Sequence, residues 1–158
     1  MPRFESVQHF PCDRDRLFAF FLRPANVVAV APPEMGLQLL EAPEVIEVGS
    51  RIVVRARRWG LSTRIVTEVV EVARPELLVE EQRQGPFARW RHERRLVAVA
   101  AGETAVTERM DYEPPGGLLG LTLTARAIEE QLAQAFEYRT VRMTQMLTGG
   151  GTERRDRT

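Results

Sequence analysis

The chain has 158 residues and a formal net charge of zero, because 22 arginines balance 22 acidic residues and lysine is absent. Without lysine, Schiff-base chemistry and a P-loop phosphate site are excluded, and the balanced charge gives no general attraction to nucleic acid or to anionic membranes. The single cysteine, Cys12, excludes an internal disulfide, and with only 2 histidines a zinc site is not expected.

Length and hydropathy predict one domain that does not cross a membrane. The N-terminus lacks the apolar core of a signal peptide, and no apolar run approaches the roughly 18 residues of a membrane-spanning helix. We therefore expect a cytoplasmic protein without integral membrane association, with one ligand-binding domain over residues 1–148. Residues 149–158 contain no apolar side chain and are predicted to form a flexible tail.

The first third of the chain predicts one strand followed by two short helices. Residues 3–10 alternate as a strand whose apolar members are Phe4, Val7 and Phe10. Asp13 is suited to cap a helix that runs through Leu22, and a second short helix is expected at residues 25–30. The prolines and glycine that follow predict a loop.

The middle of the chain is rich in strand patterns separated by turn residues. Six further strands are expected at residues 37–40, 51–59, 61–72, 77–84, 88–99 and 104–112. Gly60 predicts a tight hairpin, and turns at Gly85-Pro86 and near Gly102 extend the strands into an antiparallel meander.

The last predicted element is one long amphipathic helix over residues 118–147. Apolar residues recur at helical spacing, at Leu121, Ala125, Ile128, Leu132, Ala135, Phe136, Met143 and Met146. Such a helix would be about 45 Å long at roughly 1.5 Å per residue, which is enough to cross a curved sheet.

The hairpin at residues 78–96 carries polar side chains on both faces. Side chains alternate along a strand, so one parity contains Glu80, Gln82, Trp90, His92 and Arg94, and the other contains Arg83, Arg89, Arg91 and Arg95. One of these sets must face inward, where an unpaired polar group costs about 1 to 3 kcal/mol. The pattern predicts a cavity with a polar wall.

Turn positions predict which residues of that wall lie opposite one another. A turn near Pro86 places Glu80 opposite His92 and Gln82 opposite Trp90. A turn near Gly102 brings Tyr112 opposite His92 and places Glu108 close to Leu96 and Arg94.

Four segments carry a resemblance to a known superfamily. They are Ala31-Pro-Pro-Glu-Met-Gly-Leu37, Gly85-Pro-Phe-Ala-Arg-Trp-Arg-His92, Thr107-Glu-Arg-Met-Asp-Tyr112 and Phe136-Glu-Tyr-Arg139. The chain resembles the START-like SRPBCC superfamily, most closely a bacterial branch similar to polyketide cyclases and dehydratases. The resemblance implies an α+β helix-grip fold, in which a curved antiparallel seven-stranded sheet wraps around a long C-terminal helix, with two short helices after the first strand.

The resemblance also implies a deep pocket for a lipid, sterol, polyketide or other small apolar molecule. Separately, we expect no cofactor. The expected ligand-binding residues are Glu80, Gln82, Trp90, His92, Arg94, Glu108, Met110, Tyr112, Phe136 and Arg139. His92, Glu80 and Tyr112 are the catalytic candidates, because a neutral imidazole beside a carboxylate suits acid-base chemistry.

Each of these residues also has a structural interpretation. His92 is expected more often to satisfy an internal hydrogen-bond network than to bind a ligand or catalyse, and Glu108 with Arg94 reads better as a buried ion pair than as a catalytic pair. Arg139 is expected to extend out of the core to solvent rather than into the pocket.

Three classes of function remain open from the sequence. Binding of a small hydrophobic molecule is preferred because no nucleophile motif is present, and a cyclase or dehydratase is the second choice. The third is a protein-interaction module with a filled interior. The outward arginines, which include Arg55 and Arg57, are interrupted by Glu81 and Glu93, so no nucleic-acid partner is expected. The sequence is compatible with a homodimer.

Overall fold

The computed structural model describes residues 1–58 and 60–149. Its strands are β1 (Arg3–Phe10), β2 (Gln38–Glu41), β3 (Arg51–Arg58), β4 (Leu61–Ala73), β5 (Leu77–Gln84), β6 (Arg89–Ala100) and β7 (Glu103–Glu113). Its helices are α1 (Arg14–Phe21), α2 (Pro24–Ala29), α3 (Gly117–Thr122) and α4 (Ala125–Gly149), with a 3-10 turn at Pro33–Met35. Trp59, predicted as the end of a strand, and residues 150–158 of the predicted tail lie outside the described residues.

Within the described chain the strands form one seven-stranded sheet in the order β1-β7-β6-β5-β4-β3-β2. Strands β2 to β7 follow one another as a meander, and β1 pairs antiparallel with β7. Short turns explain this order, because hairpins join neighbouring antiparallel strands at the lowest cost in loop closure. The predicted α+β architecture, with a sheet against a C-terminal helix, is confirmed.

Helices α1 and α2 lie between the first two strands and cover part of the sheet. Asp13 occupies the N-cap position of α1, but its side chain makes no capping hydrogen bond, so the predicted cap is wrong in that respect. The helix is instead anchored by burial of Leu17, Phe18 and Phe21. Pro24 begins α2, where a missing backbone N–H has no cost.

A close backbone contact holds the loop after α2 against the sheet. Gly36 has a φ of 54°, and its carbonyl accepts a hydrogen bond from the Arg57 backbone N–H at 3.2 Å. A Cβ at this position would lie 2.3 Å from the Arg57 carbonyl oxygen. Glycine is therefore required both for the conformation and for the approach.

The single long helix predicted over residues 118–147 is wrong at its start. Leu123 and Thr124 separate α3 from α4, and the Thr124 hydroxyl accepts a hydrogen bond from the Ala127 N–H at 3.2 Å. Threonine in this role caps a new helix rather than continuing the old one. Leu121 is consequently 75% exposed instead of facing the core. Helix α4 extends to Gly149, one residue beyond the predicted domain boundary at residue 148.

Two hydrophobic clusters fill the concave side of the sheet. One surrounds α1 and contains Phe10, Leu17, Phe21, Leu96 and Met143 among its buried members. The other is dominated by aromatic rings and contains Phe4, Met110, Tyr112, Ile128 and Phe136, with Phe87 and Trp90 packed against it. Helix α4 contributes to both clusters, so it ties the two ends of the core together.

Candidate functional site

A cavity of about 260 Å³ lies between the sheet, the two short helices and α4. Its apolar lining comes from Phe21, Pro24, Val27, Val28, Ala31, Pro32, Met35, Leu37, Ile46, Ile52, Val54, Leu132, Ala135 and Phe136. Its polar lining comes from Thr67, Glu80, His92, Arg94 and Arg139. Concave apolar volume with a few polar groups is the usual character of a small-molecule site.

Glu108 is the centre of the polar network beside this cavity. Its side chain on β7 is fully buried and accepts a hydrogen bond from His92 Nε2 at 2.6 Å. Arg139 on α4 donates to both carboxylate oxygens, with 3.1 Å between Nη1 and Oε2. Such paired, charge-assisted contacts fix both partners in orientation.

A second carboxylate, that of Glu80, pairs with the other buried arginine, Arg94. Arg94 donates from Nη1 to Glu80 Oε2 at 3.1 Å, and its Nε lies 3.3 Å from Glu108 Oε2 without hydrogen-bond geometry. The Arg139 guanidinium lies 4.2 Å from the centre of the Phe136 ring, where a cation–π contact adds to its packing.

The network is electrically balanced when His92 is neutral. Arg94 and Arg139 supply two positive charges, and Glu80 and Glu108 supply two negative charges. Burial, together with Arg94 and Arg139, lowers the pKa of His92 well below its ordinary value, which keeps the ring uncharged at neutral pH. Burial also lowers the pKa of Arg139, but its contacts with the Glu108 carboxylate hold the guanidinium in its charged form.

The His92 tautomer follows from its partner. A carboxylate can only accept, so the proton of the neutral ring is on Nε2 and is donated to Glu108. Nδ1 is then a bare acceptor, and no described residue makes a hydrogen bond to it. His92 lines the cavity with 9% of its side chain exposed.

Comparison with solved structures identifies the architecture. A START superfamily protein from Mycobacterium smegmatis matches with a TM-score of 0.68 and 12% identity, over 92% of this chain and 96% of that chain. A protein from Chromobacterium violaceum matches with a TM-score of 0.71 and 11% identity, over 89% and 96%. The chain has the helix-grip fold of the START-like superfamily.

The same helix-grip architecture occurs in a plant protein. The major latex-like protein 151 of Panax ginseng matches with a TM-score of 0.63 and 17% identity, over 89% of this chain and 96% of that chain. No family model matches the sequence, and no curated protein matches it. At these identities the likeness concerns the fold.

The sheet and helix α4 together bring five of the predicted site residues to the cavity wall. They are Glu80, His92, Arg94, Phe136 and Arg139. The register pairs Glu80 with His92, as the turn position predicted. Glu108 lies near Arg94 as expected, but directly opposite it, whereas the predicted turn had placed Glu108 nearest Leu96. Glu108 and Arg94 form the expected buried ion pair. The expectation that Arg139 extends to solvent is wrong, because the residue is only 7% exposed and pairs with Glu108.

Other predicted residues lie away from the cavity. The sheet places Met110 opposite His92, so the predicted pairing of Tyr112 with His92 is wrong by two residues. Tyr112 instead lies opposite Trp90 and donates from its hydroxyl to the Ala125 carbonyl at 3.2 Å. Burial raises the pKa of the Tyr112 phenol above its ordinary value. A buried phenol used in this way joins the sheet to the start of α4.

The predicted pairing of Gln82 with Trp90 is also not observed. The β5–β6 ladder ends at Glu81 and Arg91, and the Gln82 amide donates to the Phe87 carbonyl at 2.7 Å within the turn. The turn therefore contains more residues than a tight hairpin, and Gln82 stabilises it. Met110, Tyr112 and Trp90 belong to the aromatic cluster rather than to the cavity lining.

Sequence reasoning missed Gln8. The predicted apolar members of β1 are Phe4, Val7 and Phe10, and Gln8 was not considered, but Val7 is 57% exposed and Gln8 is buried. The Gln8 carbonyl accepts a hydrogen bond from Arg139 at 2.9 Å, and its amide donates to the Ser6 hydroxyl. Phe4, Gln8 and Phe10 share one parity along the strand. Alternation alone would therefore have placed Gln8 on the same face as two phenylalanines.

The outward arginines form a different kind of surface. Arg83 contacts Glu68 and Glu81, and Arg91 and Arg95 both contact Glu93. These side chains are between 35% and 52% exposed, apart from Glu93 at 15%. Acidic partners therefore break up the basic face, as expected from the sequence. In the described residues no helix is long and apolar enough to span a bilayer.

Proposed function

We propose that the protein binds a small, mainly apolar molecule in the cavity of its helix-grip fold. The observation that supports this is the combination of a continuous apolar lining with a buried polar group of Glu80, His92, Arg94 and Arg139 on one wall. The apolar lining supplies affinity through burial, and the polar wall supplies orientation.

The volume narrows the ligand class. About 260 Å³ is slightly below the roughly 300 to 1,000 Å³ of typical small-molecule pockets. A compact molecule of one or two rings, or a short branched chain, fits this space better than a sterol or a long acyl chain. The proposal assigns binding to one domain over residues 1–148 and places the protein in the cytoplasm.

Proton-transfer catalysis on such a molecule is the second candidate. The observation that favours it is the neutral His92 ring, which lines the same cavity as Glu80 and whose Nδ1 carries no proton. A positioned imidazole is a common general base in cyclase and dehydratase chemistry. An interaction module with a filled interior is less well supported, because the interior contains a cavity.

The binding proposal is tested by native mass spectrometry of the freshly purified protein, followed by organic extraction and identification of released compounds. We expect a stoichiometric small apolar compound, or uptake of a two-ring fluorescent probe by the protein without one. Absence of both would contradict the proposal. Turnover of the released compound by the wild type, lost in His92→Ala, would move the assignment to the enzyme.

A matched pair of variants locates the binding. Ala135 on α4 lines the cavity, whereas Ala133 on the same helix is exposed. Ala135→Phe places a ring in the cavity and is expected to abolish probe uptake, while Ala133→Phe adds the same ring to the surface and leaves uptake unchanged. Equal uptake by both variants would show that the probe binds elsewhere.

A further inference from the structure

We infer that the bound molecule carries a neutral hydroxyl group, phenolic, enolic or alcoholic, that donates a hydrogen bond to Nδ1 of His92. The inference rests on the proposed function, since it names the ligand class of the same cavity. It depends on three features of the polar wall: a fixed histidine tautomer, a balance of buried charges, and a guanidinium close to the imidazole in the cavity lining.

The tautomer decides which kind of group the ring can meet. Nε2 lies 2.6 Å from Glu108 Oε2, and a carboxylate accepts the proton, so only Nδ1 is left to interact with a ligand. Glu108 is itself held by Arg139, which prevents the carboxylate from turning away. Glu108 is therefore a positioning residue that keeps Nδ1 an acceptor.

An acceptor on the wall selects a donor on the ligand. A carbonyl or ether oxygen opposite Nδ1 would face another lone pair and keep water away from the nitrogen without replacing its hydrogen bond, which is unfavourable. A hydroxyl supplies the missing proton. It also retains lone pairs that can accept from a donor such as Arg94, which lines the same cavity.

The buried charges disfavour an ionised ligand of either sign. Arg94 and Arg139 are already paired with Glu80 and Glu108. A ligand carboxylate would bring a third negative charge into a site with two positive ones, and it would have no proton to donate to Nδ1. A ligand ammonium would bring a third positive charge into a site with two negative ones, which are already paired with Arg94 and Arg139. A neutral hydroxyl leaves the balance unchanged, so its desolvation is the least costly.

Three probes of one ring system test the inference in the purified full chain. They are 2-naphthol, 2-methoxynaphthalene and 2-naphthoate, which differ in whether the oxygen donates, only accepts or is anionic. We expect 2-naphthol to bind about 3- to 10-fold more tightly than the ether, because that ratio of dissociation constants corresponds to the net free energy of one neutral hydrogen bond. The anion should bind most weakly. Dissociation constants come from titration calorimetry or from probe fluorescence.

A pair of histidine variants assigns the preference to the ring. His92→Phe retains the ring shape without an acceptor, so the preference for 2-naphthol over the ether should disappear, because the naphthol loses its hydrogen bond and the ether no longer faces the Nδ1 lone pair. His9, the other histidine, is exposed on β1 and pairs with Glu103 at 3.4 Å. His9→Phe is the matched control and should retain the wild-type preference.

The outcomes separate this inference from the function it rests on. Failure of all three probes to bind would contradict the proposed function and with it the hydroxyl. Equal binding of naphthol and ether by the wild type would overturn the inference and leave the cavity as a binding site, and tightest binding of 2-naphthoate would replace the hydroxyl with an anion.

A measurement on the wild type covers the case in which His92→Phe does not fold. Nitrogen-15 NMR of the histidine side chains reports directly which ring nitrogen is protonated. We expect His92 to carry its proton on Nε2 in the free protein, with an Nδ1 resonance that moves on addition of 2-naphthol. A proton on Nδ1 of the free protein would overturn the inference.

Discussion

Arg94 and Arg95 are neighbours on β6, yet they illustrate two different uses of the same residue type. Arg94 points inward with 5% of its side chain exposed, and its Nε lies 3.3 Å from Glu108. Arg95 points outward with 52% exposed, and its Nη2 lies 3.3 Å from Glu93. The two nitrogen–oxygen distances are equal, so distance does not distinguish these pairs.

Burial makes the difference between the two faces of the sheet. An exposed ion pair is screened by water and contributes about 0 to 1 kcal/mol, whereas removing one partner of a buried pair costs about 3 to 5 kcal/mol because a charge is left in a medium of low polarity. The inner face should therefore respond strongly to single substitutions, and the outer face should tolerate them.

The largest effect is expected for Glu108→Gln. The amide has nearly the size of the carboxylate but leaves Arg139 without an ionic partner in a buried site, so the free energy of unfolding should fall by about 3 to 5 kcal/mol. Urea denaturation followed by circular dichroism measures this. A loss below about 1 kcal/mol would contradict the importance assigned to the buried network.

A double variant tests whether the loss comes from unbalanced charge. Glu108→Leu combined with Arg139→Met removes one charge of each sign and leaves Arg94 with Glu80. We expect the double variant to be more stable than Glu108→Gln, because apolar side chains of similar volume can replace a buried pair at little cost. A double variant less stable than Glu108→Gln would indicate that packing rather than charge dominates.

An intermediate effect is expected from pH. The pKa of His92 is lowered in the folded protein, whereas the unfolded chain takes up this proton near the ordinary value of 6.5. The unfolded state therefore binds more protons below that pH, and this contribution to stability is lost as the pH falls. From about pH 7.5 to about pH 5.5 the wild type should lose about 1 kcal/mol more than His92→Gln.

Stability curves of both proteins across this pH range measure the difference. Parallel curves for wild type and His92→Gln would contradict the lowered pKa of His92. A wild type that gained stability relative to the variant on acidification would show that Glu108 raises the pKa instead.

The smallest effect is expected for Glu93→Gln on the outer face. Glu93 contacts both Arg91 and Arg95, but the guanidinium groups remain hydrated after its removal. The free energy of unfolding should change by about 0 to 1 kcal/mol. Because this substitution matches Glu108→Gln in chemistry, a comparable loss at both positions would remove the distinction between the faces.

Prediction from the sequence succeeded where local rules apply. The limits of β1 and β5 and the pairing of Glu80 with His92 follow from strand alternation and turn residues, which act over a few positions. The Tyr112 position failed for two reasons that each move the partner by one residue. The turn pairs Ala100 with Glu103, one residue from the predicted register, and a one-residue register shift follows between Ala98 and Ala100. The break between α3 and α4 was missed because apolar periodicity continues across Thr124.

The sequence by itself determined the meander and the presence of a polar wall, since these depend on neighbours along the chain. Tertiary structure decided that Arg139 turns inward and that Gln8 and Glu108 accept its hydrogen bonds. These residues are far apart in the chain, since Gln8 and Arg139 have a sequence separation of 131 residues. Only the packing of α4 against the sheet removes Arg139 from water, and a desolvated guanidinium must then find its partners inside the protein.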